Sequence, residues 1–225
     1  MGENDQSSAD LDWRDGAIPV SRRFDDPYFS LNGGLNETRH VFLAGNDLPQ
    51  RLYEGFHVAE LGFGTGLNLL ALAQIATVPV RFTSFEAFPM SHDELARAQE
   101  AFPELAELSA QLREGWSKRR FSVGQVQAEI IEADARDALP AWDGKADAWF
   151  LDGFSPAKNP ELWGEDLMAE VGRHTAPGGT FATYTAAGHV RRALGAAGFT
   201  VERAPGFAGK RHMSRGVLAP DLGDA

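Results

Sequence analysis

Val58-Ala59-Glu60-Leu61-Gly62-Phe63-Gly64-Thr65-Gly66-Leu67-Asn68 reads as an apolar strand feeding a glycine turn that opens a helix. The G-x-G-x-G spacing suits a turn that needs unusual backbone angles and a ligand that approaches main-chain atoms without meeting a Cβ. A dinucleotide fingerprint counted from Gly62 needs glycine at position 67, where Leu67 stands, and a phosphate loop needs Lys followed by Ser or Thr. Neither is present. Adenosylmethionine carries no phosphate, so a loop that admits its methionine and ribose portions has no use for a lysine. A purely structural turn in an α/β protein would carry the same glycines, and the neighbouring strands have to decide.

From Phe56 onward, short apolar strands alternate with helical stretches, the pattern of an α/β sandwich with a mostly parallel sheet and helices on both faces. Strands are predicted at 56–61, 81–86, 129–132, 147–152, 179–184, 199–204 and 212–218, giving the seven-stranded sheet of a Rossmann-like class I methyltransferase. Helical apolar spacing covers 66–76, 91–101, 104–115 and 187–197. Ser91 followed by Glu94 makes a capping box, and Gly115-Trp116 marks a bend in a crossover running from Ser91 to Gln127. Residues 1–10 are polar and expected to be disordered. Residues 11–55 are broken by turn formers such as Gly33-Gly34 and Gly45-Asn46 and are expected to form an accessory segment or lid. The methyltransferase domain is placed at 56–218 and a tail at 219–225.

Ligands of open α/β sheets sit beyond the carboxyl ends of the strands, and here those ends carry acids. Glu60 closes the first strand beside the glycine turn, and Asn68 opens the helix after it. Glu86 ends the second strand, where its carboxylate can take both ribose hydroxyls. Asp134 and Ala135 follow the third, with Asp134 placed to accept from an adenine amino group. Each acid alone could equally be a solvated carboxylate or a helix cap; the ordered set points to one site that also includes Gly62, Gly64 and Gly66.

The fourth strand runs from Ala146 to Asp152 and then into Gly153-Phe154-Ser155-Pro156. Asp152 lies across the cleft from the glycine turn and is the candidate catalytic residue. An aliphatic amine with a pKa near ~10 is mostly protonated at neutral pH. A carboxylate in reach can orient it and take its proton, for about 10²–10⁴ in rate. Capping of the next segment is the other role open to Asp152. The chain has no cysteine, so the usual thiolate route to a C5-methylated pyrimidine is closed and methylation of a heteroatom is favoured. Phe154 and Trp163 could stack on a base, or could be core. His92 and His212 have no partners at metal-ligand spacing, and no metal is expected.

The formal net charge of −11 argues against indiscriminate coating of nucleic acid. Between Arg173 and Gly216, however, seven basic side chains (Arg173, Arg191, Arg192, Arg203, Lys210, Arg211, Arg215) face the single acid Glu202. An acidic body with one basic face remains compatible with a structured RNA, although solvated surface charge gives the same composition. No apolar run approaches the roughly 18–20 residues of a membrane span and the N-terminus is not signal-like, so a soluble cytoplasmic protein is expected.

Several stretches carry a family resemblance: Phe24-Asp25-Asp26-Pro27-Tyr28-Phe29-Ser30, Glu37-Thr38-Arg39-His40-Val41-Phe42-Leu43-Ala44-Gly45-Asn46, Phe63-Gly64-Thr65-Gly66-Leu67-Asn68, Leu151-Asp152-Gly153-Phe154-Ser155-Pro156-Ala157-Lys158-Asn159-Pro160 and Thr180-Phe181-Ala182-Thr183-Tyr184-Thr185. Over roughly residues 11–218 the chain resembles the methyltransferase half of the MnmC family of tRNA wobble-uridine enzymes and its stand-alone MnmD relatives. The resemblance implies methyl transfer from S-adenosyl-L-methionine to the exocyclic amine of 5-aminomethyl-2-thiouridine in tRNA, with Asp152 facing the amine. The bifunctional enzymes carry a second, FAD-dependent domain without a counterpart in this sequence, so oxidative processing is expected to be either absent or done elsewhere, by a separate FAD-dependent oxidoreductase in the same pathway. Phe154, Pro156 and Trp163 are candidate acceptor contacts, and Lys158, Arg191, Arg192, Lys210 and Arg211 candidate tRNA contacts. A methyltransferase of a small amine or a protein, or a non-catalytic nucleoside-binding module, would keep the cofactor residues and discard the basic face.

Overall fold

The computed structural model of the chain describes residues 8–16, 18–30 and 33–219, so most of the expected disordered start and of the tail lies outside the described residues. Three short strands, β1 (Leu11–Arg14), β2 (Ile18–Ser21) and β3 (Asp26–Pro27), form a small antiparallel sheet. The main sheet holds β4 (His57–Leu61), β5 (Val80–Glu86), β6 (Arg120–Val123), β7 (Val126–Glu132), β8 (Ala146–Leu151), β9 (Thr175–Thr183), β10 (Phe199–Pro205) and β11 (His212–Leu218). Their order is β10-β11-β9-β8-β4-β5-β7-β6. The five central strands are parallel, whereas β11 runs antiparallel to both its neighbours and β6 antiparallel to β7.

The seven predicted strands are all present, and β6 is an eighth that the periodicity did not reveal. Residues 120–127 were expected only to be part of the crossover between the second and third predicted strands, with no element assigned to them. Gly124, at φ +53°, instead folds Arg120–Val123 back on Val126–Glu129 as a hairpin at the sheet edge. The crossover before it follows the sequence more closely. α3 (His92–Gln99) starts at the Ser91/Glu94 capping box, and α4 (Ala106–Gly115) ends at Gly115, where a Cβ would lie 2.2 Å from Phe121 Cβ.

Alternation along the central strands splits the core into two layers. Val58, Phe82, Ala148 and Phe150 face the side covered by α2 (Leu67–Ile75) and α4; Ala59, Phe85, Trp149 and Leu151 face α5 (Ala135–Ala138), α6 (Glu165–Arg173) and α7 (Gly188–Ala196). Every residue of α2 from Leu67 to Ala73 is buried, which is why its apolar side chains run all round the helix instead of along one stripe.

Residues 34–46 are part of the first layer. α1 (Gly34–Thr38) runs into a π-helical turn (Arg39–Leu43) and a 3₁₀ turn (Ala44–Asn46), burying Val41, Phe42 and Leu43. Phe42 packs on Phe150 with ring centroids 5.6 Å apart. Gly45 permits the close approach, because a Cβ there would meet Ala182 Cβ at 2.7 Å. Asn46 is fully buried, donates to the carbonyls of Phe42 (2.9 Å) and Trp149 (3.3 Å), and accepts from Thr180 Oγ1 (2.6 Å). Removing this amide strands buried partners on β8 and β9. Asn46→Ala should therefore cost about 1–3 kcal/mol of stability in urea unfolding; an unchanged midpoint would show that water replaces the amide without penalty.

Candidate active site

Strand order reverses at β4, whose neighbours β5 and β8 follow it on opposite sides, and a crevice opens over their carboxyl ends. Its volume is about 590 Å³, in the range of small-molecule sites. The glycine turn, Glu86, Asp134-Ala135 and Asp152–Ser155 form the floor, while Phe24, Tyr28, Glu37 and Thr38 come from the N-terminal segment, and Tyr184 and Lys210 close the far end.

A buried polar cluster organises the centre. The Asn68 side-chain nitrogen donates one hydrogen to Glu60 Oε1 (2.9 Å) and the other to Asp152 Oδ2 (2.8 Å), and its oxygen accepts from Thr38 Oγ1 (3.0 Å). All its partners on one side are acceptors and on the other a donor, which fixes the orientation of the amide. Glu60 also accepts from Ser84 Oγ (2.6 Å) and is 1 % exposed; burial holds its carboxyl well above the usual range, against these hydrogen bonds. Burial likewise pushes Asp152 up to about 6, opposed by the Gly153 amide (2.8 Å) and Asn68. Glu60 is therefore a support behind the wall, reaching the crevice only through Asn68.

Glu86 accepts from the Gly64 amide (2.9 Å) through Oε2 and the Phe88 amide (2.8 Å) through Oε1, leaving a second lone pair on each oxygen; burial nonetheless raises its pKa. Asp134 caps α5 through the Arg136 amide (2.9 Å) and is gripped by the Arg136 side chain, which holds its pKa below the usual range. Both the capping role and a crevice-facing position hold for it. The glycines of the turn serve protein packing as much as ligand access: at Gly62 a Cβ would meet Gly153 Cα at 3.1 Å, and at Gly66 it would meet Leu112 Cδ1 at 2.7 Å. Gly66 does not line the crevice.

Phe154 stands on the wall, stacked on Phe24 (4.7 Å between centroids) with Tyr28 edge-on (4.9 Å). The backbone N–H of Ser155 donates to Asp26 (2.9 Å) and Lys158 pairs with Asp25 (2.6 Å), so the loop after β8 is fastened to the turn around Asp25-Asp26. Trp163 does not reach the crevice: it is 1 % exposed and gives its indole N–H to the Phe154 carbonyl (2.9 Å), bracing the loop from the core. Pro156, Lys158, Arg191, Arg192 and Arg211 lie outside the crevice, whereas Lys210 lines it. Phe24, Tyr28, Glu37, Thr38 and Tyr184 are crevice residues that strand-end reasoning passed over, because they come from outside the strand-to-helix turns; their signal lay only in the quoted family stretches.

Six carboxylates (Asp26, Glu37, Glu86, Asp134, Asp152, Glu161) line the crevice against three cationic side chains (Arg23, Arg136, Lys210), and two of those cations are already paired with carboxylates. The surplus of negative charge suits a sulfonium and an ammonium and disfavours a polyphosphate. Among the described residues no helix is long and apolar enough to cross a membrane, and no group of three or more His, Cys, Asp or Glu is placed to hold a metal ion.

Residues 98–219, more than half of the chain, match the family described as S-adenosyl-L-methionine-dependent methyltransferase. The tRNA 5-methylaminomethyl-2-thiouridine biosynthesis bifunctional protein MnmC of Pseudomonas savastanoi pv. phaseolicola is 44% identical over 228 residues, covering 93% of this chain and 34% of that protein. Its namesake in Chromobacterium violaceum is 44% identical over 237 residues, covering 96% and 36%. The chain thus spans little more than a third of the length of these relatives. Among solved structures, MNMC2 from Aquifex aeolicus shares the fold with a TM-score of 0.72 at 24% identity, covering 98% of this chain and 74% of that one. By that match over more than half of its length, and by its identity to these relatives over more than nine-tenths of it, the chain belongs to the S-adenosyl-L-methionine-dependent methyltransferases.

Proposed function

We propose that the chain methylates the exocyclic amine of 5-aminomethyl-2-thiouridine at the tRNA wobble position, giving 5-methylaminomethyl-2-thiouridine. The observation that carries this reading is Asp152, a crevice carboxylate held by Asn68 and the Gly153 amide with its pKa near 6. The identity with relatives described as proteins of 5-methylaminomethyl-2-thiouridine biosynthesis supports the choice of acceptor.

Bound S-adenosyl-L-methionine would supply an electrophilic methyl group from its sulfonium, whose sulfur keeps the S–C electron pair and leaves as the thioether of S-adenosylhomocysteine. The backbone of Gly62 and Gly64 would border it, the free lone pairs of Glu86 would accept from its ribose, and Asp134 with Ala135 would edge its adenine. Asp152, ionised above about pH 6, orients the acceptor ammonium and takes its proton, freeing the nitrogen lone pair for the methyl group; the proton then leaves to solvent. Phe154 and Tyr28, which line the crevice, would pack against the base. Arg191, Arg192 and Arg211 make no ion pair among the described residues, and we assign them to tRNA phosphates. An upstream FAD-dependent oxidoreductase would deliver the amine, in the cytoplasm where tRNA is modified. Of the N-terminal segment, only the stretch 23–30, from which Arg23, Phe24 and Asp26 to Ser30 border the crevice, is assigned a covering role.

Incubation with methyl-labelled S-adenosyl-L-methionine and undermodified tRNA should place the label on the wobble nucleoside, as read by nucleoside mass spectrometry; unlabelled tRNA would move the assignment to a small amine or a protein acceptor. Asp152→Ala should lower kcat by at least ~10² while leaving cofactor affinity near that of the wild type. Because Asp152 must be ionised to accept a proton, wild-type kcat/KM should fall as pH drops through about 6, and the residual activity of Asp152→Asn should lack that limb. An unimpaired rate would remove Asp152 from the mechanism.

A further inference from the structure

The far end of the crevice already holds an alkylammonium. Lys210 Nζ lies 2.7 Å from Glu37 Oε1 and 4.8 Å from the centroid of the Tyr184 ring. A carboxylate together with an aromatic face is the combination that recognises a cationic amine. Glu37 and Lys210 are also the charged side chains whose fields reach Asp152, and Tyr184 in turn feels Asp152 and Glu37, so the four groups share one space. We propose that the Lys210 ammonium is a stand-in for the acceptor's own ammonium, occupying a seat made by Glu37 and Tyr184 beside Asp152, and that the acceptor enters by displacing it. The proposal rests on the assignment of a primary amine as acceptor.

The seat is built and its present occupant is loosely held. Glu37 is on α1, its side chain only 12% exposed, and Tyr184 is tied through its hydroxyl to the Gly153 carbonyl (2.9 Å). Lys210, by contrast, is 48% exposed and rides on the link between β10 and β11, where Gly209 has φ +86°. β10 runs parallel to β9, so this link emerges at the crevice end of the sheet. Without a cation, Glu37 would be a poorly solvated carboxylate among other acids, a costly arrangement. Lys210 relieves that cost when no acceptor is present. Exchange of one ammonium for another leaves the charge of the seat unchanged, whereas a neutral analogue cannot displace Lys210 without leaving Glu37 unpaired. The seat thereby selects aminomethyl over hydroxymethyl acceptors.

The test uses n-butylammonium and, as neutral control, n-butanol, titrated into the full chain loaded with S-adenosylhomocysteine while NMR follows the Tyr184 ring. Butylammonium should bind Lys210→Met at least ~3-fold more tightly than wild type, because the internal competitor is gone. Glu37→Gln should abolish that binding, and butanol should bind none of the three. In kinetics, Lys210→Met should lower KM for the free 5-aminomethyl-2-thiouridine nucleoside. Butylammonium affinity that is unaltered or weakened in Lys210→Met would overturn the proposal and leave Lys210 as a strap or a direct ligand contact. If butylammonium behaves as expected but no aminomethyl nucleoside or tRNA is methylated, the seat stands and the wobble-uridine assignment fails.

Discussion

Two carboxylates buried side by side at the ends of adjacent parallel strands repel each other and lose their water, and the Asn68 amide is what makes the arrangement tolerable. It gives one hydrogen to Glu60 on β4 and one to Asp152 after β8, while Thr38 satisfies its oxygen. Charged groups survive burial when every lone pair and proton finds a partner, and this cluster comes near that condition. It also sets the geometry around it. Asn68 must sit in the first turn of α2, the glycine turn must deliver it there, and α1 must pack closely enough for Thr38 to reach it.

The same cluster explains why residues 34–46 belong to the core. A π-helical turn and a 3₁₀ turn press Phe42 against Phe150, and the buried Asn46 amide joins that segment to β8 and β9. The N-terminal stretch around Phe24 to Tyr28 and the loop after β8 are fastened to one another, by Asp26 to the Ser155 amide and by Lys158 to Asp25. The wall that carries Asp152 and the wall that carries Phe24 and Tyr28 are thus one connected structure. Around it the crevice is acidic, in keeping with an overall formal charge of −11, while the arginines of α7 and of the β10–β11 link leave cationic groups outside. That distribution draws cationic ligands inward and leaves anionic ones to the cationic groups outside.

The parallel core was legible in the sequence because its signals are local. Apolar runs ending in Glu60, Glu86, Asp134 and Asp152 could each be counted from the glycine turn, and Ser91 with Glu94 announced a helix start that the structure carries as a capping box. What escaped was non-local or too short to show a period. β6 lies past 104–115, the last stretch of helical spacing before it, in residues to which no element was assigned, and Gly124 turns it back on β7. Gly45-Asn46 looked like a breaker, yet Gly45 serves a close approach to Ala182 and Asn46 is a fully buried linker, roles set by strands more than 100 residues away in the case of Trp149. Trp163 was open to stacking on a base or to the core and is core, since ring type alone does not tell which side of a loop it braces. Glu37 and Tyr184 meet through Lys210 only after the sheet has closed.

The central physical claim is that Asp152 is a crevice carboxylate kept near neutrality's threshold by burial and restrained by Asn68. A ¹³C NMR titration of the Asp152 carboxyl in the full chain measures this directly. The account predicts an apparent pKa of about 6, moving higher still in Asn68→Ala. A value at or below the ordinary aspartate pKa of ~3.9, indifferent to Asn68, would contradict it.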